Sequence, residues 1–386
     1  MFLASLDLNG YRNYRRLSCE FSPGINLITG ANAQGKTNLV ESVYYLSIGK
    51  AYRQARDDQL ILWGDNSFQI KGIIESRRGK SEIEVRYHRE ENPAKTILVD
   101  GLRMTKREDV SGRFTSVLFS PESIAIVKGS PQERRDFLNY DIGQISLTYG
   151  SDVYKYKRLL AQRNALLKNL SQVSLPLGDK REKLSVWDQQ LVIYGCRLVE
   201  KRMAFVDKLA PMVRLIHRKL TSGKENMEIR YLINAEASPS ANNDNPDKVD
   251  KKDIAGFLRE TCDRSLEDDL KLGSTQWGPQ RDDLKITLDG ADMRRFGSQG
   301  QQRTCVLALK LAELEIFRGE SGEYPLLLLD DVMSELDGER QKQLLNFINE
   351  KYIQCVITAT EIKNINFIEK RQGKRFLVNR GEIREN

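Results

Sequence analysis

Short apolar runs alternate with stretches of helical periodicity at both ends of the chain. Apolar runs bounded by polar or turn-forming residues have the length of buried strands, and the segments after them repeat apolar residues every three or four positions. The predicted strands are 2–8, 25–30, 116–121, 325–332 and 352–360, and predicted helices cover 300–319 and 337–350. This alternation predicts an α/β fold whose sheet is completed by strands from both termini.

The middle of the chain has two further patterns. Residues 68–75, 81–87 and 96–99 are strand-like and are separated by the turn signals RRGK and DG, which predicts an antiparallel sheet. Residues 130–222 have helical periodicity and few helix breakers, so we predict helices that pack on one another. The rest of this region is predicted as a strand at 227–235, a polar loop rich in Asn, Asp, Ser and Pro at 236–252, and a helix at 253–272.

The composition is typical of a folded protein in an aqueous compartment. The 386 residues are 40% hydrophobic and 30% charged, and no apolar run is long enough to span a bilayer. At the N-terminus the charges follow the apolar residues, the reverse of a secretory signal, and the five cysteines form no CxxC pair. We therefore expect a cytoplasmic protein with reduced thiols and no membrane partner. With two histidines in the chain, zinc hydrolases and Ser-His-Asp enzymes are close to excluded.

Positive charge is concentrated in the helical middle of the chain. The formal net charge is +7, and residues 151–220 hold 15 Lys and Arg against 6 Asp and Glu, a net of +9. A basic helical block favours an acidic partner such as a nucleic-acid backbone, although a solvated helix face gives the same pattern. The possible DNA contacts are basic residues of this block: Lys155, Lys157, Arg158, Arg163, Arg214, Arg218 and Lys219. Trp63 and Trp187 are expected in the core rather than as stacking platforms for bases.

A phosphate-binding loop lies between a predicted strand and a predicted helix. Its residues fit the pattern G-x-x-x-x-G-K-[ST] and are Gly30, Ala31, Asn32, Ala33, Gln34, Gly35, Lys36 and Thr37. Glycines let the backbone approach phosphates, and N–H groups at the start of the helix stabilise negative charge. Lys36 is predicted to reach the β- and γ-phosphates of ATP, and the Thr37 hydroxyl to bind Mg²⁺. The alternative is a glycine-rich turn with a surface lysine.

An acidic strand end supplies the second half of such a site. Four leucines at 326–329 predict a buried strand, and Asp330 and Asp331 follow directly. Asp330 is predicted to hold Mg²⁺ through water, and Asp331 to orient or deprotonate the attacking water. The two carboxylates could instead form a solvated strand terminus. Together with the phosphate loop, they predict an ATPase.

Two more motifs resemble those of ABC-type ATPases. The stretch SQGQQR, which begins with Ser298, Gln299, Gly300 and Gln301, resembles the superfamily signature, with Gln299 in place of the usual first glycine of the pair. The stretch SELD, with Ser334 and Asp337 at its ends, resembles the D-loop. Alone, SQGQQR would also fit a polar helix cap. In that superfamily the signature of one subunit contacts the γ-phosphate bound to the other, so the resemblance implies an ATP-dependent homodimer.

Within this superfamily the chain is similar to the RecF family, short relatives of the SMC proteins. The similar stretches are LNGYRNYRRL (8–17), GANAQGKTNLVESVYYLSIGKAYR (30–53), FSPESIAIVKGSPQERRDFLN (119–139), STQWGPQRDDL (274–284) and the motifs within 297–337. The resemblance implies an ABC-type ATPase head at 1–130 and 275–386, made of a P-loop sheet and an antiparallel β part. It also implies an inserted α-helical lobe at 131–274, too short for the long coiled coils of SMC proteins.

The resemblance further implies a function in recombinational DNA repair. A dimer induced by ATP would bind duplex, gapped or single-stranded DNA and recruit the RecO and RecR mediators, which help to load a recombinase at gaps. Roles in replication and the SOS response, slow ATP hydrolysis stimulated by DNA, ATP and Mg²⁺ as cofactors, and association with the nucleoid are also implied.

Besides Gln299, the sequence departs from related ATPases at four positions. Asp331 stands where most ABC ATPases have Glu, and no histidine follows the strand at 352–360, where Thr358 and Thr360 stand instead. Ser120 lies where SMC relatives place a metal-contacting glutamine, and Gln280 replaces the histidine of a family-specific stretch. These differences favour slow hydrolysis and therefore a timer or clamp over a fast motor.

Several residues leave two interpretations open. Arg12, Asn13 and Tyr14, together with Tyr11, could contact the adenine and ribose, or could form an aromatic turn that packs on the sheet. Arg134 and Arg135 could face DNA or form a structural ion pair.

Two other function classes compete with DNA repair. The nucleotide-binding subunit of an ABC transporter would have the missing histidine, a glutamate at position 331 and a shorter insert between phosphate loop and signature. A self-contained nuclease or helicase would need a second acidic metal cluster or helicase motifs, which the sequence lacks.

Overall fold

The structure is a computed structural model that describes residues 1–53, 55–104, 112–233, 253–360 and 373–386. The chain forms two compact units. Unit 1 comprises Met1–Ile124, Leu215–Lys224 and Gln299–Asn386, and unit 2 comprises Ala125–Arg214 and Glu225–Ser298. The predicted loop at 236–252 lies outside the described residues.

Strands and helices are numbered in chain order over the described residues. The strands are β1 (Phe2–Tyr11), β2 (Tyr14–Glu20), β3 (Ile25–Thr29), β4 (Ser67–Ser76), β5 (Gly79–His88), β6 (Lys95–Val99), β7 (Leu102–Arg103), β8 (Ser116–Phe119), β9 (Met227–Leu232), β10 (Asp283–Leu288), β11 (Ala291–Asp292), β12 (Leu326–Asp330), β13 (Cys355–Ala359), β14 (Lys374–Asn379) and β15 (Glu382–Glu385). The helices are α1 (Lys36–Ile48), α2 (Ala125–Lys128), α3 (Pro131–Ile145), α4 (Tyr149–Ser171), α5 (Leu177–Leu220), α6 (Ile254–Leu272), α7 (Met293–Phe296), α8 (Gln299–Ser321) and α9 (Gly338–Lys351).

The central sheet of unit 1 is mainly parallel and is built from both ends of the chain. Its strand order is β15-β14-β3-β13-β12-β8, and only β15 pairs antiparallel with its neighbour. Every residue of β12 and β13 is buried. Parallel strands covered on both faces read as unbroken apolar runs, which is why the pattern of four leucines was informative. The predicted α/β fold is confirmed.

A second, antiparallel sheet of unit 1 has the order β2-β1-β4-β5-β6-β7. The antiparallel pairing predicted for the segments at 68–75, 81–87 and 96–99 is confirmed by the β4–β5 and β5–β6 ladders. Strand β2, which was not predicted, pairs with β1 across a tight turn where Arg12 has φ 54°. Adjacent exposed residues Arg15 and Arg16 interrupt the alternation that would have indicated this strand.

Unit 2 contains the helices of the basic region and a small sheet of order β11-β10-β9. The predicted helical region at 130–222 divides into α3, α4 and α5, and α3 begins with a proline, whose missing N–H is tolerated there. The helices pack on one another as predicted, through a cluster formed by Leu167, Leu170, Leu184, Leu266 and Leu270. Helix α5 has 44 residues. At about 1.5 Å per residue, it is about 66 Å long.

The predicted domain boundaries stay a prediction, and the two units differ from them at three places. Residues 125–130 and 275–298 belong to unit 2, although they are predicted as part of the head. For the second segment the reason is that β10 pairs along its full length with β9 in one antiparallel sheet. Residues 215–224 belong to unit 1, so the boundary after Arg214 lies within α5.

Two smaller expectations concern membrane-crossing helices and the burial of two tryptophans. Within the described ranges, none of the helices combines the length and the apolar content that a membrane crossing needs. The expectation that Trp63 lies in the core is wrong, because its side chain is 98% exposed. Trp187 is half-buried.

Candidate nucleotide-binding site

The phosphate loop connects β3 to α1, and its backbone adopts conformations that favour glycine. Gly30 has φ 150° and Gly35 has φ 121°. A Cβ on Gly30 would lie 2.3 Å from the carbonyl oxygen of Val378, so no side chain fits there without a shift of the backbone. Ala33 is left-handed with φ 63°. The segment thus has the strand–loop–helix geometry that presents backbone N–H groups to an anion.

Lys36 is the first residue of α1, and its side chain folds back into the loop. The Nζ atom donates hydrogen bonds to the carbonyl oxygens of Gly30 at 2.7 Å and of Ala31 at 2.9 Å. Burial lowers the pKa of the Lys36 ammonium, whereas the carboxylates of Asp331 and Asp330 raise it. A bound phosphate would offer this ammonium a charged acceptor, which makes a stronger hydrogen bond than a neutral carbonyl.

Two turns from distant parts of unit 1 support the loop at Gln34 and Gly35. From the β1–β2 turn, Asn13 Nδ2 donates to the Gln34 carbonyl oxygen at 2.9 Å, and the Tyr14 hydroxyl donates to the Gly35 carbonyl oxygen at 2.9 Å. From the β14–β15 turn, the backbone N–H of Arg380 donates to Gln34 Oε1 at 2.7 Å. The loop is therefore preorganised by two side chains and one backbone N–H that lie outside the motif.

These contacts correct the prediction for the turn at 11–14. Tyr11 and Tyr14 are completely buried. The assignment of Tyr14 to the adenine or ribose is wrong, because its side chain is buried and its hydroxyl donates to the Gly35 carbonyl oxygen of the loop. Arg12 is half-buried and forms a bidentate ion pair with Glu41, at 2.8 Å and 3.0 Å. For Arg12 and Asn13 a contact with the nucleotide stays a prediction.

Asp330 ends β12 and accepts hydrogen bonds from three hydroxyl groups. Its Oδ1 accepts from Thr37 Oγ1 at 3.1 Å and from Thr358 Oγ1 at 2.7 Å, and its Oδ2 accepts from the Tyr52 hydroxyl at 3.0 Å. The side chain of Asp330 is 2% exposed. Thr37 and Asp330 are 293 positions apart in the sequence, so the fold brings the phosphate loop and the acidic strand end into direct contact.

Asp331 adopts a left-handed backbone conformation with φ 55°. Its N–H donates to Thr358 Oγ1 at 2.9 Å, and Ser334 Oγ donates to its carbonyl oxygen at 2.8 Å. The Thr358 hydroxyl therefore connects both carboxylate residues, since it donates to Asp330 and accepts from Asp331. Of the two threonines that stand where relatives have a histidine, Thr358 is buried in the site and Thr360 is exposed.

The oxygen atoms of Thr37 and Asp330 fit a magnesium ion. Both are hard oxygen donors, and they lie 3.1 Å apart. No cluster of three or more His, Cys, Asp or Glu side chains that could hold a metal occurs among the residues that the structure describes. A site with few protein ligands suits Mg²⁺ with a nucleotide, because water and phosphate oxygens supply the remaining ligands.

The signature-like residues lie at the start of α8. Ser298, Gln299 and Gly300 are exposed, and Gln301 is half-buried. The boundary between the two units falls between Ser298 and Gln299. An exposed helix N-terminus with a serine beside it can accept an anion from another molecule.

The D-loop-like segment is fixed to α8 within unit 1. Asp337 caps α9, accepting the Arg340 N–H at 2.9 Å, and also forms an ion pair with the Arg340 guanidinium. Arg340 Nε in turn donates to Thr304 Oγ1 of α8 at 2.7 Å. Arg303 of α8 forms an ion pair with Glu335 and donates to its carbonyl oxygen at 3.1 Å. These bonds join the two segments into one surface.

The predicted DNA contacts are exposed with one exception. The exposed residues are Lys155, Lys157, Arg158, Arg214, Arg218 and Lys219. The prediction for Arg163 is wrong, because this side chain is 0% exposed and its Nε and Nη1 lie 2.6 Å from Asp188 Oδ1 and Asp269 Oδ2. It stands on the inner face of α4, where its charge is neutralised by carboxylates of α5 and α6. A DNA contact by the six others stays a prediction.

Arg134 follows the second of its two interpretations. Its Nε and Nη2 lie 2.6 Å and 3.0 Å from the carboxylate of Asp283, and its side chain is 4% exposed. Arg135 donates to the carbonyl oxygen of Asp282 at 2.8 Å. Both arginines therefore form structural contacts within unit 2.

Tyr52 and Glu41 also belong to the site and were not predicted. Tyr52 follows α1 after a short loop and returns to Asp330, and Glu41 holds Arg12 beside the loop. Glu41 is a buried glutamate on a helix, 1% exposed, and such a residue needs a cationic partner. The sequence alone does not show that Glu41 is buried, so this need for a cationic partner could not be predicted from it.

The chain is similar to proteins of one family over its whole length. The family model described as RecF/RecN/SMC N-terminal domain matches residues 2–380. A DNA replication and repair protein RecF of Clostridium botulinum (strain ATCC 19397 / Type A) is 38% identical over 100% of both chains. The protein of the same description from Natranaerobius thermophilus is 39% identical over 95% of this chain and 93% of its own.

Solved structures give the same likeness. A structure of the recombination mediator protein RecF with ATP, in the RecFOR pathway, superposes with a TM-score of 0.87 at 34% identity, covering 100% of this chain and 97% of that one. An Smc head bound to the C-winged helix domain of ScpA has a TM-score of 0.55 at 15% identity, covering 100% of this chain and 97% of that one, and shows a shared fold alone.

Proposed function

Because the chain belongs to the RecF family of RecF/RecN/SMC N-terminal domain proteins, we propose that it is an ATPase that acts in DNA replication and repair. The single observation that carries the ATPase proposal is the 3.1 Å contact between Thr37 and Asp330. It unites a phosphate loop with an acidic strand end, which are the two parts that ATP with Mg²⁺ requires. The ATP complex of a RecF protein 34% identical to this chain supports the same ligand.

Binding of ATP is assigned to the phosphate loop, residues 30–37. The backbone N–H groups of the loop and the start of α1 bind the phosphates, and Lys36 exchanges its two carbonyl partners for phosphate oxygens. Thr37 and Asp330 would hold Mg²⁺, which neutralises charge on the phosphates. The Thr37 hydroxyl donates a hydrogen bond to Asp330, so the lone pairs of its oxygen remain available to bind the metal.

Hydrolysis is assigned to Asp331, which positions the attacking water and accepts its proton. The left-handed backbone at Asp331 and its bonds to Thr358 and Ser334 hold this residue in place directly after the strand. A carboxylate on the short arm of aspartate reaches less far than that of glutamate. Slow turnover therefore follows, and it suits a protein that uses ATP as a timer.

Two ATP molecules would join two copies of the chain. The exposed start of α8, with Ser298 beside it, has the chemistry to bind the γ-phosphate held by a second copy. Because ADP lacks that phosphate, hydrolysis would remove the contact and release the dimer. The bonds between α8 and the segment at 334–337 support a dimer surface that moves as one piece.

The DNA contacts are assigned to the six exposed basic residues of α4 and α5 named above. A dimer would clamp duplex, gapped or single-stranded DNA with these surfaces, and would act with RecO and RecR in loading a recombinase at gaps. The RecFOR pathway named for the similar solved structure supports these partners. DNA stimulation of the ATPase, association with the nucleoid and participation in the SOS response belong to the same proposal.

A transporter subunit is the less favoured alternative. The family match extends over residues 2–380 and includes the basic helices, which a transporter subunit does not need. The missing histidine and the aspartate at position 331 also count against it.

The ATPase proposal is tested by measuring binding and hydrolysis separately. Asp331→Asn keeps the shape of the side chain and removes the base, so ATP binding should persist while turnover falls on the order of 100-fold. Asp65→Asn, at an exposed aspartate of unit 1, is the matched control and should leave both unchanged. Turnover near that of the wild type in Asp331→Asn would assign the base to another residue, and absence of ATP binding by the wild type would refute the function.

A further inference from the structure

The carboxylate of Asp330 has different donors on its two oxygens. Oδ1 faces the hydroxyls of Thr37 and Thr358, whereas Oδ2 accepts from the hydroxyl of Tyr52 at 3.0 Å. We infer that Tyr52 is a positioning residue. Its hydrogen bond fixes the rotation of the Asp330 carboxylate, so that a defined side of this group faces the metal–nucleotide complex. This inference rests on the proposed ATPase function.

The bond from Tyr52 to Asp330 joins a neutral donor to a charged acceptor. The phenol donates to a carboxylate oxygen at 3.0 Å, and such charge-assisted bonds are stronger than those between neutral groups. The bond therefore holds Oδ2 in one orientation, separately from the two bonds at Oδ1.

The ring of Tyr52 is held by its neighbours. It packs edge-on against Tyr44 of α1, with ring centroids 5.9 Å apart, and the guanidinium carbon of Arg53 lies 5.4 Å from its centroid. Arg53 also lies 3.5 Å from a carboxylate oxygen of Glu122. The phenol is thus presented to Asp330 by a packed ring rather than by a freely rotating side chain.

Loss of the Tyr52 hydroxyl would remove the hydrogen bond at Oδ2 of Asp330. Thr37 and Thr358 would still bind Oδ1, but Oδ2 would lose the donor that sets the plane of the group. Thr37 is itself a proposed metal ligand. The orientation of its hydroxyl depends on the Asp330 carboxylate, because that carboxylate accepts its hydrogen bond. The expected defect is therefore in the use of Mg²⁺, while the phosphate loop and Lys36 remain unchanged.

The test measures equilibrium binding without turnover. A fluorescent, non-hydrolysable ATP analogue is titrated at a series of Mg²⁺ concentrations with the wild type and with Tyr52→Phe. The variant should need about tenfold more Mg²⁺ for half-maximal binding, while binding in EDTA stays unchanged. Circular dichroism at each condition establishes that equal folded fractions are compared.

Tyr45→Phe is the matched control. Tyr45 lies on α1 and donates to Asp57 Oδ1 at 2.7 Å, so the change removes the same kind of tyrosine–carboxylate bond from the same region. Its Mg²⁺ dependence should equal that of the wild type. Equal dependence in Tyr52→Phe would overturn the inference and leave the ATPase proposal intact. A wild type whose binding does not respond to Mg²⁺ would overturn both.

Discussion

Replacing Arg163 with methionine should destabilise unit 2 and should not act on DNA directly. Methionine has a similar length and no charge, so the substitution removes the two ion pairs at 2.6 Å and the donor to Thr275 Oγ1 at 2.8 Å. Asp269 is 0% exposed and would be left with the Gln276 N–H at 2.7 Å as a donor. Asp188 is 17% exposed and can recruit water.

The expected size follows from this stranded charge. Removing one partner of a buried ion pair costs about 3–5 kcal/mol, a large part of the ~5–15 kcal/mol that stabilises a typical protein. For a unit of this size, the melting temperature should fall by about 10 °C. The double variant Arg163→Met with Asp269→Asn neutralises the stranded carboxylate and keeps an acceptor for Gln276, so it should recover about 2 kcal/mol.

The assay combines thermal and urea unfolding with DNA titration at a temperature where all variants are folded. Arg158→Gln is the matched control, because Arg158 is exposed on the same helix. Arg158→Gln should melt at the temperature of the wild type and bind DNA more weakly. Arg163→Met should melt at a lower temperature and, where it is folded, bind DNA like the wild type. An Arg163→Met variant that melts like the wild type but binds DNA weakly would refute the argument and return Arg163 to the DNA surface.

Three other predictions address the dimer, the DNA surface and the acidic strand end. Ser298→Arg should leave ATP affinity of the monomer largely intact and abolish the rise in mass with ATP in sedimentation; a variant that still dimerises with ATP would refute the role of the signature. Replacing the exposed basic residues with Gln should weaken DNA binding and flatten its salt dependence by roughly one unit of slope per lost phosphate contact, with unchanged ATP affinity; unchanged DNA affinity would relocate the contacts. Thr358→Val, which removes the hydroxyl shared by Asp330 and Asp331, should lower turnover about tenfold with little change in nucleotide affinity, and Thr358→Ser should restore it. Equal turnover in Val and Ser variants would contradict this.

Local patterns predicted the parts of the site that depend on local geometry. The phosphate loop is a continuous segment whose glycines have positive φ, and the strand of four leucines is buried on all sides, so both could be identified from neighbouring residues. The β14–β15 hairpin, which was not predicted, also has a local sequence signal. In its Asn-Arg-Gly turn, Arg380 and Gly381 both have positive φ, as residues of tight hairpin turns do.

Contacts between distant segments could not be predicted in this way. Arg163 resembles its neighbours Lys157 and Arg158 in the sequence, and what distinguishes it is a carboxylate 106 positions away on another helix. Tyr52 lies 278 positions from Asp330 and outside the phosphate-loop pattern at 30–37. The direction of a side chain on a helix depends on which face is covered, and only the tertiary packing decides that.

The position of β3 in the parallel sheet has a consequence for synthesis on the ribosome. Both neighbours of β3 come from the far end of the chain, since it pairs with β13 (Cys355–Ala359) on one edge and with β14 (Lys374–Asn379) on the other. The strand that leads into the phosphate loop therefore emerges early but finds no partner in this sheet until those segments have been translated. Until then, its unpaired backbone is an open edge of the kind that promotes aggregation, and chaperones recognise such edges. A nascent chain cannot bind ATP productively during most of its synthesis, and any truncation before β13 should leave a protein without a nucleotide site rather than one with reduced activity.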